Sequence, residues 1–406
     1  MKLIDKYGVT HTSKTLKDKI SNTKKALVNN HYINLLSHAH EDHMAAYLAW
    51  LEVGGVILIN NPYNPKEMQE QTIAQMDAME FTEPSICFLT SGTTGFIKIV
   101  VHTESSIQHI AKVARCIPGW EPNDKLVSIM PAFTSGFWHF QLWPAIQENL
   151  NKTITMIPVD VNPAGLGNTL LTSPGQVDKA RMLFGDKLDY SGYYVCCGAS
   201  QVLNRHIEEV FSRGAHGFGK TFGATETGAP SLIGMTDLPP SKYEFADCYK
   251  LEAIGGLYDL KLVDNELWIR SDGLCQNKHE FDLVDDWMNT HDCFEFVEGQ
   301  DNLMRFTGRK SDSVKMNGFI ANLLEVENIM EAEFNCGTIM VKKHNRLGSD
   351  FLEVQYTNKD WKPKPDVIEE VLRDKMSKCC IPKKFTYIED VPRTSMGKKK
   401  RNLNWT

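Results

Sequence analysis

The stretch Thr90-Ser91-Gly92-Thr93-Thr94-Gly95-Phe96-Ile97-Lys98 carries the most information in the chain. Before it runs Ser85-Ile86-Cys87-Phe88-Leu89, a short apolar segment of strand character; after it Ile99-Val100-Val101 resumes apolar character. The glycines let the backbone turn back on itself and aim successive N–H groups into one concavity. Hydroxyl side chains add donors and Lys98 adds a positive charge. That is the chemistry of a loop that holds phosphate oxygens. It is not a Walker A loop, because G-x-x-x-x-G-K-[ST] is absent. Taken alone, the stretch reads equally as a Ser/Thr-rich turn.

The strand–loop–strand unit sits in a chain of 406 residues, long enough for two domains. Hydrophobic residues make up 42% and charged residues 23%, as in an ordinary globular protein. The formal net charge of -7 argues against a general nucleic-acid binder. The N-terminus lacks the apolar run of a signal peptide, and no stretch is long and apolar enough to span a bilayer. The ten cysteines include no C-x-x-C pair, and Cys196-Cys197 and Cys379-Cys380 are adjacent, which is poor geometry for a bridge. A reducing, cytoplasmic setting is expected.

Upstream, Met44 to Leu51 has helical apolar spacing, and Gly54-Gly55 turns into a buried strand over Val56 to Asn60. Strands and helices alternate further on, which implies a mostly parallel sheet. Downstream, a boundary is expected near Gly308-Arg309-Lys310-Ser311-Asp312. Beyond it Leu323 to Met330 reads as a helix, Gly337 to Val341 as a strand and Asp366 to Met376 as a second helix. That is a compact α+β unit.

Two more loops have chemical character. Thr221-Phe222-Gly223-Ala224-Thr225-Glu226-Thr227-Gly228 is glycine-marked and carries one carboxylate, which makes sense near phosphates if Mg²⁺ lies between them. Alternatively Thr225 is a helix N-cap, with Glu226 near the dipole. Pro392-Arg393-Thr394-Ser395-Met396-Gly397-Lys398 sets a lysine on a tight turn, or begins an exposed basic tail that continues through Arg401.

Together these segments resemble the adenylate-forming (AMP-binding) superfamily: acyl- and aryl-CoA synthetases, the adenylation domains of peptide synthetases, and luciferases. Thr90 to Lys98 is similar to the family's T-S-G-T-T-G-x-P-K, and Phe222 to Glu226 to its Y-G-x-T-E. Trp287-Met288-Asn289-Thr290-His291-Asp292 is similar to W-x-x-T-G-D. Gly308-Arg309 through Lys315-Met316-Asn317-Gly318 is similar to the hinge and C-domain signature, and Pro392 to Arg401 to P-[KR]-T-x-x-G-K-x-x-R. Ala49 to Val56 echoes an early L-K-A-G-G segment. The motifs follow family order.

The resemblance implies an α/β fold: a large N-terminal domain with mostly parallel sheets and helices (1–309), and a small mobile α+β C-terminal domain (310–406). It implies an AMP-forming ligase that joins a small carboxylic acid to ATP as an acyl-adenylate, then passes the acyl group to coenzyme A or a carrier-protein phosphopantetheine. Thr90, Ser91, Gly92, Thr93, Thr94, Gly95 and Lys98 would wrap the β- and γ-phosphates. Glu226 would hold Mg²⁺ and Thr225 would contact the α-phosphate. Gly198-Ala199-Ser200 and Phe222-Gly223 would flank adenine. Asp292 would accept from the ribose hydroxyls, with Arg309 binding nearby. Lys398 would bridge carboxylate and α-phosphate, and a domain rotation would bring the segment around Lys315 and Gly318 to the thiol.

The sequence departs from the pattern at Ile97 (usually Pro), His291 (usually Gly) and Ser311 (usually Asp or Lys). It is short for the family in its N-terminal region, so that lobe is expected to be trimmed or completed by a partner chain, a second copy included. In the segment that resembles the acid-contacting one, Thr134 stands where amino-acid-activating relatives carry Asp, which argues against an α-amino acid. Phe133, Phe137 and Trp138 point to an apolar or aryl acid, or are core aromatics. His38-Ala39-His40-Glu41-Asp42-His43 matches the H-x-H-x-D-H metal pattern of metallo-β-lactamase-type hydrolases, but the remote ligands such a site needs are not evident. It is expected to be an ordinary helix.

Overall fold

The computed structural model describes residues 1–406 apart from 92–96, 122, 149, 151, 229–230, 252–255, 278–280, 282, 301, 311–312, 317–318, 347–348, 374, 377–379, 394–398 and 400–406. The architecture is mixed α/β, and three large sheets carry the loops of interest.

The first sheet has four strands in the order Ile33–Leu35, Val56–Ile59, Ser85–Ser91, Ile97–Thr103. The first three are parallel and the last is antiparallel. Val56–Ile59 is buried at every position, as a continuous apolar run between covered faces demands. The helix His40–Val53 makes the crossover into it. That helix stops because Gly54 (φ +70°) and Gly55 (φ +93°) take left-handed backbone in succession. The Trp50 indole N–H donates to the Gly55 carbonyl at 3.0 Å and holds the turn.

The second sheet has eight strands in the order Leu232–Thr236, Gly217–Phe222, Tyr194–Cys197, Thr169–Thr172, Leu126–Ser128, Thr153–Met156, Lys2–Ile4, Thr10–His11. Its centre is parallel and its two outermost pairs are antiparallel.

The third sheet departs from the expected parallel pattern. Tyr249–Lys250, Leu303–Arg309, Trp287–Phe296, Glu266–Arg270 and Asp259–Val263, with Leu283–Val284 alongside, pair antiparallel throughout. The reason lies in its turns. Asp264-Asn265 and Asp285-Asp286 both hold positive φ at two successive residues, the backbone of a two-residue type I′ hairpin. Neighbouring strands are therefore joined directly, without helical crossovers.

An aromatic core of Phe88, Trp138, Trp143 and Tyr47 lies behind the first sheet. From Ser313 on, the elements have their own apolar cluster. It joins the helices Leu323–Glu333 and Pro365–Leu372 to a sheet of Ile339–Arg346, Ser349–Tyr356 and Lys384–Tyr387. Among the described residues no helix is long and apolar enough to cross a membrane.

Candidate active site

The Thr90 segment is the tip of an antiparallel hairpin. Thr90 pairs with Lys98 and Ser91 with Ile97 across it. Gly92, Thr93, Thr94 and Gly95 lie outside the described residues. The Lys98 ammonium sits 5.0 Å from the centre of the Phe281 ring. The outer edge of strand Ile97–Thr103 is closed by Asn277, whose side-chain amide accepts from Val101 N (3.1 Å) and donates to Ile99 O (2.7 Å). Gln276 N adds a bond to Val101 O.

Near the end of the same strand lies His102, which is fully buried. Its Nε2 donates to the carbonyl of Thr225 at 2.8 Å. Burial pulls the imidazole down to about 4, so it is neutral at pH 7. Thr225 also meets Ser135, hydroxyl to hydroxyl, at 3.0 Å. Residues 225–227 form a turn and not a helix start, so the N-cap alternative for Thr225 is not what the chain adopts. Further bonds fix this turn. The Thr227 hydroxyl accepts from Ala224 N, Tyr258 OH donates to Thr227 O, and Cys275 N donates to Glu226 O. Among the described residues none pairs with the Glu226 carboxylate. It is half-buried on a turn held from three sides, and an oxygen ligand of this kind fits Mg²⁺.

Asp292 and Arg309 face each other on adjacent strands. Arg309 donates from Nε to Oδ1 (2.8 Å) and from Nη2 to Oδ2 (3.2 Å), a bidentate pair with the carboxylate nearly buried. His291, the residue before Asp292, has φ +56°, which explains why glycine suits this position.

Gly198, Ala199 and Ser200 leave the end of strand Tyr194–Cys197 next to Thr221 and Phe222. A β-carbon on Gly198 would stand 2.2 Å from the Thr221 hydroxyl oxygen, so only glycine lets the two strand ends come this close. Ala199 takes left-handed backbone (φ +70°). Phe222 packs edge-on against Phe294 and leaves Gly223 exposed beside it.

In the segment 131–138, Thr134 donates to Pro131 O at 2.7 Å and accepts from Phe137 N, capping a short helical turn. Phe133 is buried. Trp138 is fully buried, and its indole N–H is shared between Ala132 O and His43 Nδ1. The three imidazoles of His38-Ala39-His40-Glu41-Asp42-His43 go to separate partners. His40 Nε2 bonds the Met130 carbonyl at 2.9 Å, His43 Nε2 bonds Ser37 O, and His38 packs on Tyr63 and Phe133. The segment opens a helix, as expected, and its rings support residues 130–138. Glu41 instead lies near Asp5 and His11, whose own pair is 2.9 Å apart.

Lys315 lies on the strand Ser313–Met316. Ser311, Gly318 and Lys398 lie outside the described residues. Nothing in the sequence singles out His102, Ser135 or Asn277. A histidine four residues after Lys98 and an isolated asparagine match no motif, and their partners are 90 to 178 residues away.

No family model matches the chain, and no curated protein matches it either. Solved structures do match. The amide bond synthetase McbA from Marinactinospora thermotolerans is 14% identical, covering 98% of this chain and 94% of that one with a TM-score of 0.78. ATP-bound MatB from Rhodopseudomonas palustris is 14% identical (98% and 93%, TM-score 0.76). The o-succinylbenzoate CoA synthetase MenE from Bacillus subtilis, in complex with its acyl-adenylate intermediate, is 15% identical (98% and 94%, TM-score 0.79). All three are adenylate-forming enzymes, and the likeness runs over nearly the whole of each chain. The chain has the two-domain fold of the adenylate-forming enzymes.

Proposed function

We propose that this protein is an AMP-forming ligase that activates a small carboxylic acid with ATP and passes the acyl group to a pantetheine thiol, that of coenzyme A or of a carrier protein. One observation carries the reading. Thr225 touches both the acid-segment residue Ser135 and His102, on the strand that begins at the phosphate hairpin. Three stretches that resemble the phosphate, acid and glutamate segments of one active site thus meet at a single residue.

In this reading the substrate carboxylate attacks the α-phosphorus, the bond to the bridging oxygen breaks, and pyrophosphate leaves. Mg²⁺, when bound by Glu226, offsets charge on the phosphate oxygens. The Thr90 hairpin and Lys98 hold the β- and γ-phosphates. Asp292, held by Arg309, accepts from the ribose hydroxyls, while Gly198 to Ser200 and Phe222-Gly223 flank adenine. Lys398 sits between carboxylate and α-phosphate, which lowers the repulsion between two anions. In the second step the thiol attacks the acyl carbon, its proton is lost, and AMP leaves with the bonding electron pair. Residues 310–406 move as the small domain, bringing the segment around Lys315 and Gly318 forward. Phe133 and Thr134 border the acid. Trp138 acts behind them through the core, since its side chain is fully buried.

ATP–pyrophosphate exchange against aryl, short-chain and medium-chain acids tests the reading, with Lys398→Ala alongside. Acid-dependent exchange that falls by about two orders of magnitude or more in the variant is expected. A protein that binds MgATP yet exchanges with no acid would be a nucleotide-binding relative without turnover. Amide formation from the adenylate with an amine, and none with a thiol, would replace the proposed acceptor.

A further inference from the structure

The helix Leu323–Glu333 carries Glu327, Asn328 and Glu331 on one side, and these collect contacts from three parts of the chain. Lys399 Nζ lies 2.9 Å from Glu327 Oε2 and 3.1 Å from Glu331 Oε1. Arg205, on the helix Asn204–Ser212, donates from Nη1 to Glu331 Oε2 at 2.6 Å. Asn328 Nδ2 donates to Gln201 Oε1 at 3.3 Å. Both carboxylates are almost fully withdrawn from water, with side-chain exposures of 0% for Glu327 and 4% for Glu331. Each also accepts a backbone bond from the strand Ile339–Arg346, Glu327 from Val341 N and Glu331 from Ile339 N.

Two buried carboxylates face two cations, of which Arg205 also lies 3.4 Å from Asp178, and a buried carboxylate stripped of a partner is costly. The two cations have different origins. Lys399 comes from the C-terminal segment, where it bridges to Arg393, and it is the residue after Lys398 in the chain. Arg205 comes from the large lobe, directly after the segment Gly198–Gln201 that runs past the proposed adenine position. Glu331 therefore joins the chain next to Lys398 to the lobe that holds the nucleotide.

We propose that Arg205 and Lys399 are positioning residues. Lys399 fixes its own stretch of chain on the helix Leu323–Glu333, and Arg205 latches that helix to the large lobe beside Gln201. The catalytic part of this inference rests on the ligase reading, whereas the latch itself does not.

Glu327 and Glu331 hold backbone as well as cations, so their removal would disturb the fold. The test therefore uses Arg205, which is 40% exposed. Gln201→Cys and Asn328→Cys are introduced together, and the rate of disulfide formation between them is followed by peptide mass, with and without Arg205→Ala. The variant should slow cross-linking about fivefold, and Arg205→Lys should restore most of it. In exchange assays Arg205→Ala should lower kcat by a similar factor and leave the KM for ATP within about twofold. Lys399→Ala should lower the exchange kcat while leaving the cross-linking rate closer to that of the parent pair. Cross-linking unchanged by Arg205→Ala would overturn the latch. Slower cross-linking with an unchanged kcat would overturn its part in positioning. Absence of exchange in the unmodified protein would count against the ligase reading alone, because cross-linking still reports on the latch.

Discussion

His291 holds a β-carbon in backbone that glycine adopts freely, at φ +56°. Its imidazole regains part of the cost by pairing with Glu266 at 3.2 Å, and the backbone N–H of His291 donates to Asn289 Oδ1. His291→Gly is expected to leave the thermal midpoint within a few degrees, strain relief offsetting lost contacts and greater unfolded-state freedom. His291→Val should lower stability by about 1–2 kcal/mol, because a β-branched residue fits this region worst. Equal midpoints for the two variants would contradict the strain argument. At Asp292 the prediction concerns binding. Asp292→Ala should raise the KM for ATP by one to two orders of magnitude, roughly the worth of hydrogen bonds to a charged group. An unchanged KM would remove Asp292 from the ribose role. The motif spelling W-x-x-T-G-D made Asp292 legible in the sequence. The bidentate grip of Arg309 was not legible, because strand register brings together residues 17 apart.

Among the elements, the helix His40–Val53 shows most clearly what a pattern can and cannot say. Its opening His38-Ala39-His40-Glu41-Asp42-His43 spells a metal signature, yet apolar spacing over Met44 to Leu51 already marked the stretch as helical. Spelling gives ligand types but not the directions in which side chains point, and here the rings diverge to Met130, Ser37 and an aromatic pair. His40 supports the segment 130–138, proposed to border the acid, with its ring edge-on to Phe137 at 4.9 Å. His40→Ala should therefore raise the KM for the acid several-fold and leave that for ATP nearly unchanged, as steady-state kinetics would show. Equal effects on both would make His40 a general stabiliser of the lobe. The antiparallel third sheet escaped the sequence reading for a related reason. Asp264-Asn265 and Asp285-Asp286 are short hairpin signals, and no periodicity in the flanking strands separates them from ordinary loops of an alternating α/β chain.

At the largest scale, the protein encloses histidines that burial keeps neutral. Burial pulls both His43 and His102 down to about 4. An unfolded histidine titrates near 6.5, so between about pH 6.5 and 4 the unfolded chain binds protons that the folded chain refuses. Stability is thus complete above this window and is lost as pH falls through it, by about 3 kcal/mol for each group at the lower end. Urea midpoints should drop steeply between neutrality and about pH 4.5, and His102→Gln, which keeps a donor for Thr225, should flatten the drop. A slope unchanged by that substitution would mean that other groups govern the acid limb. The glycine loops were readable as candidates because each is a short contiguous stretch. The residues that brace them were not, because bracing needs only a donor of the right reach from anywhere in the chain. Asn277 is such a brace, and its amide has a second effect. Ile97–Thr103 is the last strand of its sheet, and its free backbone groups would otherwise be a template on which another chain could add a strand. By bonding Val101 N and Ile99 O, Asn277 covers part of that edge at the rim of the Thr90–Lys98 hairpin, so Asn277→Ala would leave both groups open to strand addition by another chain.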